Sequence, residues 1–168
     1  LWFGTDYNGG LYRMKDGSVT RFSTVDGLPA RAVRTIYEDR HGRLWAGTSA
    51  GLHYFQTNGF VRVPTQAGLL GEDIRCLIED QRGEFWAGTE AGLFRRRGQT
   101  DVFDRAEGIP SKLILGFYED SEGDLWIGTG SGLARIRGGR IHWWGADQGM
   151  SGEAIYDILE DERGTLWF

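Results

Sequence analysis

The chain has 168 residues, 27 of them glycine, and a formal net charge of −5. Interior glycine costs a helix about 1 kcal/mol per residue, so a load more than double the roughly 7% usual in soluble proteins excludes a helical bundle, and 40% hydrophobic with 13% aromatic content excludes a flexible or collagen-like chain. The acidic balance argues against nucleic acid or an anionic membrane as partner, a lone Cys76 precludes an intrachain disulfide, no Cys/His cluster offers a zinc site, and no apolar run reaches the roughly 20 residues of a membrane span.

Internal repetition organises what remains. The string Leu1-Trp2-Phe3-Gly4-Thr5 returns as Leu44-Trp45-Ala46-Gly47-Thr48, Phe85-Trp86-Ala87-Gly88-Thr89 and Leu125-Trp126-Ile127-Gly128-Thr129, and Leu166-Trp167-Phe168 begins a further copy. Successive tryptophans stand 43, 41, 40 and 41 residues apart, the period of a four-stranded propeller blade. The chain opens inside a unit, with Leu1 to Phe3 as a second strand, a third from Gly10-Leu11, a hairpin at Asp16-Gly17 and a fourth strand. A connector through Gly27 leads to the first complete unit. Its first strand, Val33 to Asp39, ends in Glu-Asp, and an Asp-x-x-Gly turn closes on Gly42. There Asp caps the turn amides and Gly supplies a positive φ. Leu44 to Thr48 is the second strand, Gly51-Leu52 opens the third, and Asn58-Gly59 turns into the fourth,. The same order recurs from Ile74, with a turn at Gly83 and a two-residue hairpin at Arg97-Gly98, and from Ile114, with Gly123 and Gly138-Gly139. Ile155 to Asp161 and Leu166 to Phe168 supply the first strand and the start of the second of a last unit.

The predicted fold class is all-β: a β-propeller of about four repeats of four-stranded antiparallel blades. It comprises a partial blade at 1–23, blades at about 33–63, 74–104 and 114–144, and a partial blade at 155–168. Leu166 to Phe168 duplicates Leu1 to Phe3, and neither an initiator Met nor a targeting signal precedes Leu1. The expectation is a window on a larger or oligomer-completed propeller.

The pattern Glu-Asp-x-x-Gly-x-Leu-Trp-x-Gly-Thr-x-x-Gly-Leu resembles the two-component regulator propeller repeat, and Glu119-Asp120-Ser121-Glu122-Gly123 running into Leu125 to Leu133 carries it most fully. The resemblance implies a periplasmic sensor propeller of bacterial hybrid histidine kinases and related signalling receptors. In such receptors a β-sandwich, a membrane span and a cytoplasmic output module follow the propeller, and in gut-bacterial members the propellers serve carbohydrate sensing. Kinase, receiver and membrane segments are absent from this sequence, so only the sensor part is implied. WD40 repeats share the period but not the sequence, since the Trp-Asp dipeptide is missing, and Asp161 to Trp167 misses the Asp-box spacing of sialidases by one on each side of the glycine.

Repetition is also an internal control, because a residue present in every copy answers to blade architecture. Trp2, Trp45, Trp86, Trp126 and Trp167 are expected to fill the space between blades, and Asp39, Asp80, Asp120 and Asp161 are turn residues,. Gly128 to Gly132 imitates a phosphate loop, but its counterparts at Gly47 to Gly51 and Gly88 to Gly92 mark a strand end with no helix behind it,. Asp120 to Asp124 lacks the ligands that would complete a calcium loop,. Arg95-Arg96-Arg97 alternates between faces and reads as a solvated outer strand,. His41, His53 and His142 fall at unrelated repeat positions, and Cys76 shares the slot of Thr35, Gly116 and Asp157. No catalytic residue, metal site or cofactor is therefore assigned.

Variation concentrates in the connectors from second to third strand and from fourth to first, which emerge together around a propeller's channel mouth. They carry Asp6, Tyr7 and Asn8, then Arg31 and Arg34, Glu72 and Asp73, Ser111 and Lys112, and Glu153 with Tyr156. This mixture of aromatic, amide and charged groups suits a polar ligand such as a sugar. The expected function is a non-catalytic ligand-binding or sensing module of a bacterial two-component-type receptor, periplasmic by resemblance, with carbohydrate or another polar small molecule as partner. Two alternatives stand beside it. One is a structural, self-assembling fragment (an engineered excerpt among its forms) whose ring is completed by further blades of the parent chain or by a second copy in a homodimer. The other is a propeller glycosidase or lyase with Glu72 or Asp73 facing Glu153.

Overall fold

Strand patterning by alternation fails in the Leu-Trp-x-Gly-Thr strings, where every residue is apolar or small, and such runs belong in strands covered on both faces. The computed structural model, which describes residues 1–5, 10–29, 32–64, 69, 72–96, 98 and 100–168, places the three internal copies there, while the first and last copies are partly exposed. β1 (Trp2–Gly4), β2 (Leu11–Lys15) and β3 (Ser18–Phe22) form a three-stranded antiparallel sheet. β4 (Val33–Glu38), β5 (Leu44–Thr48), β6 (Gly51–Gln56) and β7 (Gly59–Arg62) form a meander in chain order. So do β8 (Ile74–Glu79), β9 (Phe85–Thr89), β10 (Leu93–Arg96) and β11 (Phe103–Ala106), and again β12 (Ile114–Glu119), β13 (Leu125–Thr129), β14 (Gly132–Arg137) and β15 (Arg140–Trp144). A two-stranded sheet of β16 (Leu159–Glu160) and β17 (Leu166–Trp167) ends the chain. All five residues of β5, of β9 and of β13 are buried.

The first strand of each sheet packs on the sheet before it, β8 against β4 and β5, and β12 against β8 and β9. This close crossing explains the glycine of each Gly-Thr pair. A Cβ on Gly47 would come within 2.7 Å of Ile74 Cγ2, and one on Gly88 within 2.6 Å of Ile114 Cγ2, far inside van der Waals contact. The following threonines, Thr48, Thr89 and Thr129, are fully buried and each donates its hydroxyl to the carbonyl three residues on, at 2.8–3.0 Å.

Each repeat is locked by one carboxylate. Asp39 Oδ1 accepts the backbone amides of His41 (3.0 Å) and Arg43 (2.9 Å), while its Oδ2 accepts the Trp45 indole N–H at 2.9 Å. Asp80 does the same for Arg82, Glu84 and Trp86, Asp120 for Glu122, Asp124 and Trp126, and Asp161 for Arg163, Thr165 and Trp167. The turn glycine then takes a left-handed conformation, with φ of 75° at Gly42 and 84° at Gly83, which only glycine adopts at little cost. The indole so held reaches into the next sheet. Trp45 packs with Leu77, Phe85, Phe94 and Phe103, its ring 5.0 Å from that of Phe85, and Trp86 packs with Ile114, Leu125 and Ile136.

A second carboxylate joins neighbouring sheets. Glu79 accepts the Arg40 amide of the preceding turn at 2.7 Å, Glu119 accepts that of Gln81 at 3.0 Å, and Glu160 accepts that of Ser121 at 2.9 Å together with its hydroxyl. The Glu of the repeated Glu-Asp pair is thus an inter-blade clasp.

Two local features depart from the sequence expectations. β10 ends at Arg96 and β11 begins at Phe103, so Arg97-Gly98 is not a two-residue hairpin. The longer connection is used: Thr100 O and Asp101 Oδ1 accept from the Arg96 guanidinium at 2.6 and 3.1 Å. Arg96 consequently lies inward, its side chain only 7% exposed, whereas Arg95 is exposed as expected of a solvated strand. Arg97 lies outside the described residues.

Burial disfavours ionisation of Asp39 and Asp120, but the indole N–H and the turn amides outweigh it and hold both carboxyls below the usual carboxylate value. Their contribution to stability is therefore complete above about pH 4, the unfolded value, and is lost as pH falls through the folded one. His53 is buried and donates Nδ1–H to Gly51 O at 3.3 Å. Burial, with Arg62 nearby and against that hydrogen bond, lowers its pKa to about 4. The unfolded chain binds this proton first, so stability should fall by about 3 kcal/mol between pH 6.5 and 4. Urea unfolding across that range checks it, and His53→Phe, the residue of the equivalent Phe94, should flatten the slope. Asp120→Ala strands an indole and two amides, and should cost about 3 kcal/mol in the same assay at pH 7.

Candidate functional site

Antiparallel register sets which ends of the strands meet. Val33 pairs with Thr48, Ile74 with Thr89 and Ile114 with Thr129, so the start of each first strand sits beside the connector between second and third. One rim therefore collects both kinds of variable connector. At this end the ladder slips between Val33 and Thr35, between Ile74 and Cys76, and between Ile114 and Gly116. The extra residues are Arg34, Arg75 and Leu115. A bulge takes one residue out of the alternation and re-aims its side chain, and here it supplies guanidiniums to the rim.

Those guanidiniums form a charged chain. Arg34 makes a fork to Asp73, Nε to Oδ1 and Nη2 to Oδ2, both at 3.3 Å. Arg75 Nη2 lies 3.4 Å from Asp73 Oδ2 and also donates to Glu90 Oε1, while its Nε is buried with no acceptor among the described residues. The chain thus alternates donor and acceptor along the rim, Arg34, Asp73, Arg75, Glu90, with the two arginine side chains about a third exposed, at 34% and 30%. A sugar hydroxyl both donates and accepts, and such an alternation offers it both.

Of the residues expected at the mouth, Arg34 and Asp73 are brought together, and Glu153 and Tyr156 share a separate recess of about 510 Å³ with Met150 and Phe168. Tyr156, 73% exposed, occupies in its unit the repeat position of Arg34 and Arg75. Lys112 is exposed and Glu72 half-buried, and neither joins the charged chain. Asp6, Tyr7, Asn8 and Arg31 lie outside the described residues. Arg75 and Glu90 were missed from sequence, although aligning the repeats one residue into the first strand would have paired Arg75 with Arg34.

Burial pushes the Cys76 thiol well up, against weaker help from the Gly88 backbone and Arg75, so it carries little thiolate. No group of three or more His, Cys, Asp or Glu is placed to hold a metal ion among the described residues, nor is any helix among them long and apolar enough to cross a membrane.

Residues 27–50, 68–91 and 108–131 match the two component regulator propeller family, each match running from an inter-blade connector, through a first strand and its turn, into the second. No curated protein matches the chain in sequence. Among solved structures, the chain is similar to the extracellular domain of a B. thetaiotaomicron protein described as a hybrid two component system, at 25% identity and a TM-score of 0.80, covering 99% of this chain and 24% of that one. A second such domain from B. thetaiotaomicron gives 22% identity and a TM-score of 0.79, covering 96% of this chain and 23% of that one. Virginiamycin B lyase from Staphylococcus aureus shares the fold alone, at 15% identity and a TM-score of 0.75, over 96% of this chain and 56% of the lyase. The chain spans about a quarter of the two extracellular domains. It is a β-propeller segment in which three stretches match the two component regulator propeller repeat.

Proposed function

We propose that this segment is a non-catalytic sensing module of an extracytoplasmic, two-component-type receptor, and that its rim binds a carbohydrate. The observation that carries the reading is the chain Arg34, Asp73, Arg75 and Glu90 on the rim, in which donors and acceptors alternate. The repeat family and its likeness to extracellular domains of two component systems support the signalling role and the periplasmic location. Both oxygens of Asp73 are engaged by guanidiniums and Glu153 lies in a separate recess, which favours recognition over glycoside hydrolysis or lyase chemistry. Occupation of the rim would bias the packing of the first strands, and hence of whatever domain the propeller abuts in its parent.

A second reading concerns assembly. Glu38 holds the clasp position of Glu79, Glu119 and Glu160, yet it is exposed and meets no turn amide among the described residues. The clasp reaches the turn of the preceding sheet, here the three-stranded β1–β3 that packs on β4, so the free acceptor favours completion of that sheet by a first strand and turn from the parent chain or from a second copy. Light scattering over a concentration series should show self-association, weakened by Glu38→Ala, if the second copy is the occupant, and a monomer throughout would eliminate it.

Calorimetric titration with a panel of neutral and acidic oligosaccharides tests the sensing role. At least one should bind saturably, and Arg75→Gln should weaken it about tenfold, the worth of one charge-assisted hydrogen bond. No binding across the panel, or binding untouched by Arg34→Gln and Arg75→Gln together, would reject the rim as the site.

A further inference from the structure

The crevices between neighbouring sheets follow one plan, in which the Trp of one second strand faces a side chain from the next sheet's third strand. In the first crevice Phe55 meets Trp2 at 5.7 Å between ring centroids and closes against Phe22 and Phe60. In the second the same position is Arg96, whose guanidinium carbon lies 5.1 Å over the Trp45 ring and which pairs with Asp101 at 3.1 Å. Arg43 joins from the Asp-x-x-Gly turn, 5.3 Å over the same indole and 2.9 Å from the same carboxylate. Two guanidiniums thus share one indole and one aspartate.

In the third crevice the filling position is Ile136, and the hairpin beside it is Gly138-Gly139, which has no side chain to send inward. A cavity of about 430 Å³ remains, walled by Trp86, Ile136 and Ile141. The position of Arg43 is taken by Glu84. Arg95 lies 5.8 Å over Trp86 and 3.5 Å from Glu84, so it occupies the outer guanidinium place. The inner place, which Arg96 fills in the second crevice, is the cavity. Carboxylates outnumber guanidiniums four to three around it.

We propose that this crevice binds a guanidinium group from outside the chain, carried by a small molecule or by an arginine side chain of a partner. A guanidinium is planar and weakly hydrated on its faces, so it stacks on an indole at low desolvation cost while its edge pairs with a carboxylate. Glu84 supplies the carboxylate, Trp86 the stacking wall and Ile136 the apolar wall for the alkyl stem. The second crevice shows the arrangement made within this same chain.

Calorimetry on the full chain with agmatine, with an alanine-flanked arginine peptide and with the matching citrulline peptide tests it. The arginine peptide should bind saturably and the citrulline peptide at least about tenfold more weakly, as loss of a charged hydrogen-bond donor requires. Agmatine binding as tightly as the peptide assigns a free ligand, and the peptide binding alone assigns a protein partner. Ile136→Phe, which copies Phe55, should abolish binding, and the milder Glu84→Gln should weaken it about tenfold. The proposal is overturned if neither probe binds at millimolar concentration, if citrulline binds as well as arginine, or if folded Glu84→Gln binds unchanged.

Discussion

The structure depends on a carboxylate that accepts three hydrogen bonds. In each repeat the Asp of the Asp-x-x-Gly turn takes two turn amides on one oxygen and a tryptophan indole on the other. A turn between two strands is thereby tied to the orientation of the largest side chain in the blade. Because that side chain packs into the next sheet, a local turn contact also sets an inter-sheet distance. The Glu that precedes the Asp spans the same gap from the opposite direction, with its carboxylate on the preceding turn. Adjacent residues of one dipeptide thus close the blade and join it to its neighbour. Charge-assisted bonds of this kind are worth more than neutral ones, and here they sit where apolar packing alone would let flat sheets slide.

Repetition then separates scaffold from site. Where the units agree, the residues are explained by packing: the Gly-Thr glycine by the crossing first strand, the threonine by its buried hydroxyl bond, the tryptophan by the crevice it fills. Where they differ, chemistry gathers. The repeat position one residue after Val33, Ile74, Ile114 and Ile155 reads Arg34, Arg75, Leu115 and Tyr156, and the crevice-filling position reads Phe55, Arg96 and Ile136. The first series decorates the rim and the second decides which crevice stays open. Both sets of differences sit on one repeated backbone, so the fold need not change for the surface to acquire a ligand.

Much of this was legible in the sequence, for a physical reason. Period, turn glycine and tryptophan recur because each blade solves the same packing problem, and the recurrence exposes the all-β propeller and its strand order. Long-range pairing left less trace. The Glu clasp links residues 38 to 39 positions apart, and nothing in a run ending in Glu-Asp distinguishes a solvated Glu from one reaching to another turn. The bulges were invisible because an extra residue in a six-residue strand does not disturb its apolar pattern. Arg96 was misread as solvated because strand alternation alone ignores what a longer neighbouring connection can offer a buried guanidinium. Of the site, Arg34 and Asp73 were found through connector variability, while Arg75 and Glu90 were hidden in a strand and in a connector that looked ordinary.

Hydrogen exchange of the indole N–H groups, followed by NMR, tests most directly whether the Asp-to-Trp link governs the fold. Trp45, Trp86 and Trp126 are buried and bonded to Asp39, Asp80 and Asp120, whereas Trp167 is bonded to Asp161 but 58% exposed. The three buried indoles should exchange only through global unfolding, at a rate that tracks denaturant-induced loss of the whole structure, and Trp167 should exchange by local opening. Exchange of the buried three at the rate of Trp167, independent of global stability, would contradict the account.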